Sequence, residues 1–231
     1  YVYAYGMHTT HGRALPFAQG LKLANPELNV IACGGDGDGM AIGLGHTYHA
    51  IRRNVNLTYI LMDNHVYGLT KGQTSPRSDW GFKTKTTPTG NIETPVATLE
   101  MALSAGASFV AQGFSTQLQE LTDLIVAAVK HPGFSLVNVF SPCVTFNKVN
   151  TYDWFKERLV GIDSIEDYDR YDKGKVLQHI LEHEGLLTGL LYEDRKKRSY
   201  EEVSGLANNN QMQSVRKFTK AEFNKLVEDF R

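Results

Sequence analysis

The segment Gly34-Gly35-Asp36-Gly37-Asp38-Gly39 separates a short apolar run at residues 30–33 from residues that recur at helical spacing, from Met40 to Ile51. A glycine-rich turn between a strand and a helix is expected where parallel strands alternate with helices. The segment therefore predicts an α/β unit, with the turn at the end of its strand.

The alternation of strand-like and helix-like segments continues to residue 140. Apolar runs that end at Gly, Asp or Pro predict four strands, at residues 30–33, 57–62, 108–111 and 135–140. Of the helices between them, one is expected to start with Pro95 in the first helical position, and another to end at His131-Pro132-Gly133. Strands with little polar alternation, joined by single helices, predict an α/β fold with a doubly wound, mostly parallel sheet covered on both faces.

The rest of the chain is less regular. Gly68 to Gly90 lacks both periodicities, which predicts a long functional loop. After Pro142 we expect two short helices, at residues 151–159 and 176–182, with an acidic turn region at 163–172 between them. A last strand is expected at 188–192 and a linker at 208–210. We divide the chain into an α/β domain, 1–150, and a C-terminal helical extension and tail, 151–231. A capping box of Thr219 and Glu222 predicts a final helix with an apolar stripe of Phe223, Leu226, Val227 and Phe230.

Composition excludes several classes of protein. Lys and Arg number 24 against 25 Asp and Glu, so the chain lacks the basic surface of a nucleic-acid or anionic-membrane binder. No apolar run is long enough to cross a bilayer, and the first residues do not form a signal peptide. The two cysteines fit a reducing compartment, which favours the cytoplasm. Cys33, inside a predicted strand, is expected to be a small core residue.

Five interpretations compete for the turn at residues 34–39. A dinucleotide-binding fingerprint is excluded because it would place two carboxylates where a pyrophosphate must bind. A P-loop is excluded because the segment lacks the Gly-Lys-Ser/Thr ending that a P-loop requires. An EF-hand needs Glu at the twelfth position from Asp36, where Thr47 stands. The interpretation as a plain turn without a ligand is not excluded at this point. In the fifth interpretation, Asp36 binds a Mg²⁺ ion that bridges to a diphosphate, and the glycines let the backbone approach the phosphates.

The magnesium interpretation requires a second oxygen ligand from the neighbouring strand end. Asp63-Asn64 follows the predicted strand at 57–62, and Asn64 lies 28 residues after Asp36. The order strand, Gly-Asp-Gly, helix, strand, Asn is the thiamine diphosphate fingerprint. The two halves together favour a site for thiamine diphosphate and Mg²⁺ over a plain turn.

Five segments in order extend this interpretation to a family. From about residue 3 to about residue 200, the chain resembles the β subunits of 2-oxoacid:ferredoxin oxidoreductases. The segments that carry the resemblance are His8-Thr9-Thr10-His11-Gly12-Arg13-Ala14-Leu15-Pro16, residues 34–39, Asp63-Asn64, Tyr67-Gly68-Leu69-Thr70-Lys71-Gly72-Gln73 and Pro142-Cys143-Val144-Thr145-Phe146-Asn147.

The resemblance implies roles for particular residues. Asp36 and Asn64 would bind Mg²⁺ through their side chains, and Val66 through its backbone carbonyl. Lys71 matches a family lysine near the substrate or coenzyme A entrance, although a solvated loop lysine stays an alternative. The residues that would contact thiamine diphosphate are His11, Gly37, Asp38, Gly68 and Leu69.

Cys143 matches the fourth thiolate ligand of the family's [4Fe–4S] cluster. Family chains carry the other three cysteines ahead of the His-Gly-Arg region, and this sequence, which begins at Tyr1, has none of them. We therefore expect an N-terminally incomplete β subunit that does not hold the cluster by itself. A lineage that lost the cluster is the alternative, against which the retained Cys143 argues.

The activity implied by the resemblance is oxidative decarboxylation of a 2-oxoacid, of the pyruvate or 2-oxoglutarate class, with coenzyme A, electrons passing to ferredoxin. The glutamate that activates thiamine lies in the family on the α subunit, so an α partner is implied. Two alternatives stay open: a subunit of a non-redox thiamine-dependent decarboxylase, which has no use for Cys143, and an inactive truncated binding module.

Overall fold

The computed structural model describes residues 3–206 and 219–228 and contains one six-stranded sheet. The strands are β1 (Ile31–Gly35), β2 (Leu57–Asp63), β3 (Phe109–Phe114), β4 (Phe134–Phe140), β5 (Val160–Gly161) and β6 (Leu187–Glu193). The helices are α1 (Ala14–Ala24), α2 (Leu44–Arg53), α3 (Thr98–Ser104), α4 (Leu118–Lys130), α5 (Tyr152–Lys156), α6 (Lys173–Glu182), α7 (Tyr200–Val203) and α8 (Lys220–Glu228).

The order of the strands is β1-β2-β4-β3-β6-β5. The pairs β1–β2, β2–β4 and β4–β3 are parallel, as expected for strands joined by single helices, whereas β6 runs antiparallel to β3. The predicted doubly wound, mostly parallel α/β fold is confirmed. The strand predicted at 188–192 is β6, so residues after 150 add strands to the same sheet as well as helices. The division at residue 150 stays a prediction.

The two faces of the sheet are covered unequally. Helices α1, α2, α3 and α6 pack on one face, in a core that includes Leu136 and Ile180. On the other face α4 covers β3 and β4. In the described part of the chain no helix covers the β1–β2 end of this second face, where Ile31, Cys33 and Met62 are exposed. The predicted cover on both faces is therefore confirmed at β3 and β4 but not at β1 and β2, and the prediction that Cys33 is a buried core residue is wrong, because no described helix packs over it.

Two helix starts differ from the sequence prediction. The helix expected from Met40 begins with a single π-turn, Asp38–Ile42, in which the Gly43 N–H reaches back to the Asp38 carbonyl at 2.9 Å, and α2 follows. The helix expected to begin at Pro95 begins at Thr98. Val96 donates to the Pro76 carbonyl at 2.8 Å, which keeps the residues after Pro95 out of the helix.

The amino edge of the sheet is tied together by Asn54, which ends α2 in the left-handed conformation at φ 55°. Its side-chain oxygen accepts from the Ser108 hydroxyl at 2.6 Å and the Phe134 N–H at 3.0 Å, and its side-chain nitrogen donates to the Arg198 carbonyl at 3.0 Å. The same Ser108 hydroxyl lies 2.9 Å from Nε2 of His131. Four distant segments therefore meet at one buried amide.

The C-terminal residues include the predicted capping box. The Thr219 hydroxyl accepts from the Glu222 N–H at 3.3 Å, and the Glu222 carboxylate accepts from the Thr219 N–H at 2.8 Å. Phe223 and Val227 of the predicted stripe are exposed on α8, whereas the Leu226 side chain, Phe230 and the linker at 208–210 lie outside the described residues. Within the ranges described, no helix is long and apolar enough to cross a membrane.

Candidate cofactor site

The two halves of the predicted magnesium site lie at the carboxyl edge of the sheet. Asp36 follows β1 and Asn64 follows β2, and these strands pair in parallel with Gly35 opposite Met62. The backbone of Asn64 faces the carboxylate of Asp36 closely enough to lower the pKa of that carboxyl. Asp36 is only 2% exposed. Asp36 and Asn64, which are 28 residues apart in the sequence, therefore stand at neighbouring strand ends in the fold.

The carboxylate of Asp36 is in an unfavourable electrostatic environment. Burial, and then repulsion from Asp63, raise its pKa to about 6, although the hydrogen bond from Ser75, the charge of His65 and the backbone of Asn64 act in the opposite direction. A cation beside Asp36 would relieve this repulsion. Asn64 Oδ1 accepts the Val66 N–H at 3.0 Å and keeps a second lone pair for a cation. This hard-oxygen donor set fits Mg²⁺.

Three of the residues predicted to contact thiamine diphosphate, His11, Gly37 and Asp38, lie together at the turn after β1. Oδ1 of Asp38 accepts from the Gly12 N–H at 2.6 Å and lies 2.8 Å from Nδ1 of His11. The Tyr67 hydroxyl donates to the Gly37 carbonyl at 3.1 Å, and the rings of His11 and Tyr67 are 6.3 Å apart. A Cβ at Gly37 would stand 2.0 Å from the Tyr67 ring, so the turn and Tyr67 pack this closely only with glycine there.

The segment after Tyr67 approaches Cys143. A Cβ at Gly68 would lie 3.8 Å from Sγ of Cys143, so these two predicted site residues are neighbours. Leu69 and Lys71 are exposed on the turn that follows, where the Lys71 N–H donates to the Gly68 carbonyl at 3.1 Å. The fold therefore brings Gly68 and Cys143 together and leaves Leu69 and Lys71 in solvent.

The [4Fe–4S] cluster does not fit the residues of this chain alone. The sequence has two cysteines, and Cys33 lies on the exposed face of β1 whereas Cys143 follows β4. A cluster of this type takes four thiolates. In addition, residues 3–206 and 219–228 contain no group of three His, Cys, Asp or Glu side chains that could hold a metal ion.

Sequence reasoning missed a buried charge network beneath the site. Arg77 Nε lies 2.9 Å from Asp63 Oδ2, and His65 lies between Asp63, at 3.5 Å, and Asp79, at 3.7 Å. Although burial opposes both shifts, these contacts hold the pKa of Asp63 well below its usual range, and Asp63 above all raises the pKa of His65 to about 9. Two positive groups, His65 and Arg77, and two negative groups, Asp63 and Asp79, thus lie next to one another beside Asn64.

Sequence reasoning also missed Ser75, whose hydroxyl donates to Oδ2 of Asp36. Ser75 and Arg77 both come from the loop that the sequence left without periodicity. The one signal in the sequence is the turn-forming order Ser75-Pro76-Arg77-Ser78 inside that loop. It predicts a turn, and nothing in it points to Asp36.

A parallel sheet with a glycine-rich turn after one strand, and paired oxygen ligands at two neighbouring strand ends, defines the thiamine diphosphate-binding class of α/β domain. The family model for the C-terminal TPP binding domain of thiamine pyrophosphate enzymes matches residues 1–139, and that for the C-terminal part of the pyruvate ferredoxin oxidoreductase beta subunit matches residues 143–208. The chain belongs to the thiamine pyrophosphate enzyme family and, within it, to the 2-oxoacid:ferredoxin oxidoreductase β subunits.

Individual relatives agree. The β subunit of a 2-oxoacid:ferredoxin oxidoreductase from Sulfolobus is 48% identical over 71% of this chain and 54% of that protein. The 2-oxoglutarate synthase subunit KorB of Archaeoglobus fulgidus is 47% identical over 65% of this chain and 56% of its own length. The chain spans about half the length of the curated relatives it matches.

A solved structure extends the agreement to the whole chain. The 2-oxoglutarate:ferredoxin oxidoreductase from Magnetococcus marinus, with 2-oxoglutarate, coenzyme A and succinyl-CoA bound, is 39% identical. Its fold matches with a TM-score of 0.88 over 100% of this chain and 77% of that chain. The family predicted from the five sequence segments is therefore confirmed.

Proposed function

We propose that this chain is the thiamine diphosphate-binding part of a 2-oxoacid:ferredoxin oxidoreductase, which oxidatively decarboxylates a 2-oxoacid with coenzyme A and passes electrons to ferredoxin. The observation that carries the proposal is the placement of Asp36 and Asn64 at the neighbouring ends of two paired parallel strands, in a chain of this family. The Magnetococcus marinus enzyme has 2-oxoglutarate and coenzyme A bound in its structure, which supports this substrate class.

In this proposal Asp36 and Asn64 hold Mg²⁺ through their side chains, and Val66 does so through its carbonyl. Thiamine diphosphate, when bound, supplies the chemistry that stabilises the carbanion left by decarboxylation. The chain's own part is to bind and orient it, with Asp38 fixing the His11–Gly12 turn beside the diphosphate pocket. The proposed cofactor contacts are His11, Gly37, Asp38, Gly68 and Leu69.

The proposal includes partners that this chain does not supply. An α subunit would provide the glutamate that activates thiamine, and Cys143 would give one thiolate to a [4Fe–4S] cluster on the path to ferredoxin. Lys71, exposed on its turn, would lie near the entrance for substrate or coenzyme A. The low number of cysteines, two in the sequence, fits a reducing compartment and favours the cytoplasm.

The test is the activity of the assembled enzyme, purified with its α partner. We expect ferredoxin reduction that requires a 2-oxoacid, coenzyme A, thiamine diphosphate and Mg²⁺ together, with one acyl-CoA formed per CO₂. Pyruvate and 2-oxoglutarate, assayed in parallel, identify the substrate. Carbon dioxide release without ferredoxin reduction would instead indicate a non-redox decarboxylase, and an assembled enzyme that neither binds thiamine diphosphate nor turns over would indicate a binding module.

A further inference from the structure

We propose that the turn Ser75-Pro76-Arg77-Ser78 is a positioning element that fixes the two halves of the magnesium site relative to each other. The proposal rests on the proposed function in one respect, that Asp36 and the segment from Asn64 to Val66 hold the metal. It assigns roles to Ser75 and Ser78, whose hydroxyl groups each reach one half of the site.

Ser75 acts on the first half. Its side chain is buried, with the residue 5% exposed, and its hydroxyl donates to Oδ2 of Asp36. Ser75 Oγ also accepts the Arg77 N–H at 3.2 Å. Because an ionised carboxylate can only accept hydrogen bonds, the hydroxyl proton of Ser75 lies between Oγ and Oδ2 of Asp36. The carboxylate of Asp36 cannot rotate without breaking this hydrogen bond.

Ser78 acts on the second half. Its hydroxyl donates at 2.7 Å to the carbonyl of His65, the residue between the two proposed ligands Asn64 and Val66. His65 has φ 59°, a conformation that non-glycine residues adopt rarely and that needs support from its surroundings. The bond from Ser78 therefore helps to fix the backbone that orients both ligands.

Ser75 and Ser78 belong to one hydrogen-bonded turn. The Ser75 N–H donates to the Ser78 hydroxyl at 2.9 Å, and the Ser78 N–H donates to the Ser75 carbonyl at 3.0 Å. Arg77 anchors the turn to the end of β2 through Asp63 and donates to the Val96 carbonyl at 2.6 Å. A shift of either half of the site would therefore have to displace the whole turn.

Side chains that orient metal ligands influence metal affinity strongly. We expect Ser75→Ala to weaken Mn²⁺ binding about 10-fold or more, in the thiamine diphosphate-loaded assembled enzyme followed by electron paramagnetic resonance. Ser78→Ala should weaken it in the same direction. At saturating Mg²⁺, kcat should recover while the Mg²⁺ concentration for half-maximal activity stays raised, and Ser75→Thr, which keeps the hydroxyl, should restore the affinity.

Thr86→Ala is the matched control, because Thr86 is an exposed hydroxyl in the same loop, and it should keep the wild-type Mn²⁺ affinity. Thermal melts of every variant accompany the titrations. Folded Ser75→Ala and Ser78→Ala enzymes with wild-type Mn²⁺ affinity would overturn the inference, while loss of binding in Asp36→Ala would leave the proposed function standing. A wild-type enzyme that binds no Mn²⁺ with thiamine diphosphate would overturn both. If Ser75→Ala does not fold, the result with Ser78→Ala decides.

Discussion

The hydroxyl of Tyr67 donates a 3.1 Å hydrogen bond to the carbonyl of Gly37, and this bond joins the segment after β2 to the turn after β1. The ring of Tyr67 fills the space that a side chain at residue 37 would need. Gly37, the second glycine of Gly35-Asp36-Gly37, is therefore required by the packing of a side chain 30 positions later in the chain.

Gly37→Ala should destabilise the protein by about 1–3 kcal/mol, because the new methyl group overlaps the Tyr67 ring. Urea unfolding measures the change. Gly45→Ala is the control, since Gly45 lies in α2 with nothing within 4 Å of its added Cβ, and it should stabilise by up to about 1 kcal/mol. Equal stability of the two variants would contradict the packing argument.

Asp36→Ala should abolish Mg²⁺-dependent binding of thiamine diphosphate by the assembled enzyme and leave the fold intact. The pKa of Asp36 is raised to about 6 by burial and by Asp63, so its charge does not stabilise the folded state at neutral pH. Isothermal titration calorimetry gives the affinity. Asp153→Ala, at an exposed carboxylate, is the control. Unchanged affinity in Asp36→Ala would rule out the metal bridge.

Cys143→Ser should remove most of the iron–sulfur absorbance and ferredoxin reduction from the assembled enzyme, because a serine does not replace the thiolate ligand. Slow decarboxylation should persist, since that step needs only the thiamine site. Cys33→Ser, at the exposed cysteine of β1, should keep both signals. If the Cys143→Ser enzyme retains its iron and its electron transfer, Cys143 is not a cluster ligand.

The isolated chain should aggregate at micromolar concentration, because Ile31 and Met62 expose apolar surface at the uncovered end of the sheet, where β1 presents a free edge. Light scattering and gel filtration measure this. Ile31→Lys should raise the soluble fraction, and Ile92→Lys, at an exposed isoleucine in a loop, should change it little. A monodisperse wild-type monomer would contradict the prediction.

His131 should make the protein less stable in acid. Burial above all lowers the pKa of His131 below its usual 6.5, so its contribution to stability is complete above pH 6.5 and is lost as the pH falls through the lowered pKa. His131→Gln should flatten this part of the curve of unfolding free energy against pH. The exposed His49→Gln variant should follow the wild type. A His131→Gln curve that follows the wild type as well would show that another group titrates.

The sequence was sufficient to predict the fold and the site where the pattern that specifies them is local or periodic. Strand ends and helical spacing predicted the parallel core, and the rule that parallel strands end at one edge predicted that Asp36 and Asn64 lie at neighbouring strand ends. The individual binding roles of the site residues stay predictions.

The sequence was insufficient where the answer depends on distant parts of the chain. Cys33 looked like a core residue because its strand is apolar, but burial depends on what covers that face of the sheet. Pro95 looked like a helix start, but the Val96 N–H donates to the carbonyl of Pro76, which lies 20 positions earlier in the same connection between β2 and α3. Ser75 meets Asp36 across 39 positions, through a loop without periodicity, so no pattern in the sequence could find it.

The amide of Asn54 also has a consequence for synthesis on the ribosome. Its partners Ser108, Phe134 and Arg198 leave the ribosome in that order, and the carboxylate of Glu201 then accepts the N–H of Asn56 at 3.1 Å. A nascent chain that has exposed only the residues before Arg198 carries the whole parallel core with part of this amide unpaired. The contacts of Asn54 with Arg198 and of Asn56 with Glu201 therefore form only after translation has passed residue 201, and a message cut short before the codon for Arg198 yields a chain that lacks both of them.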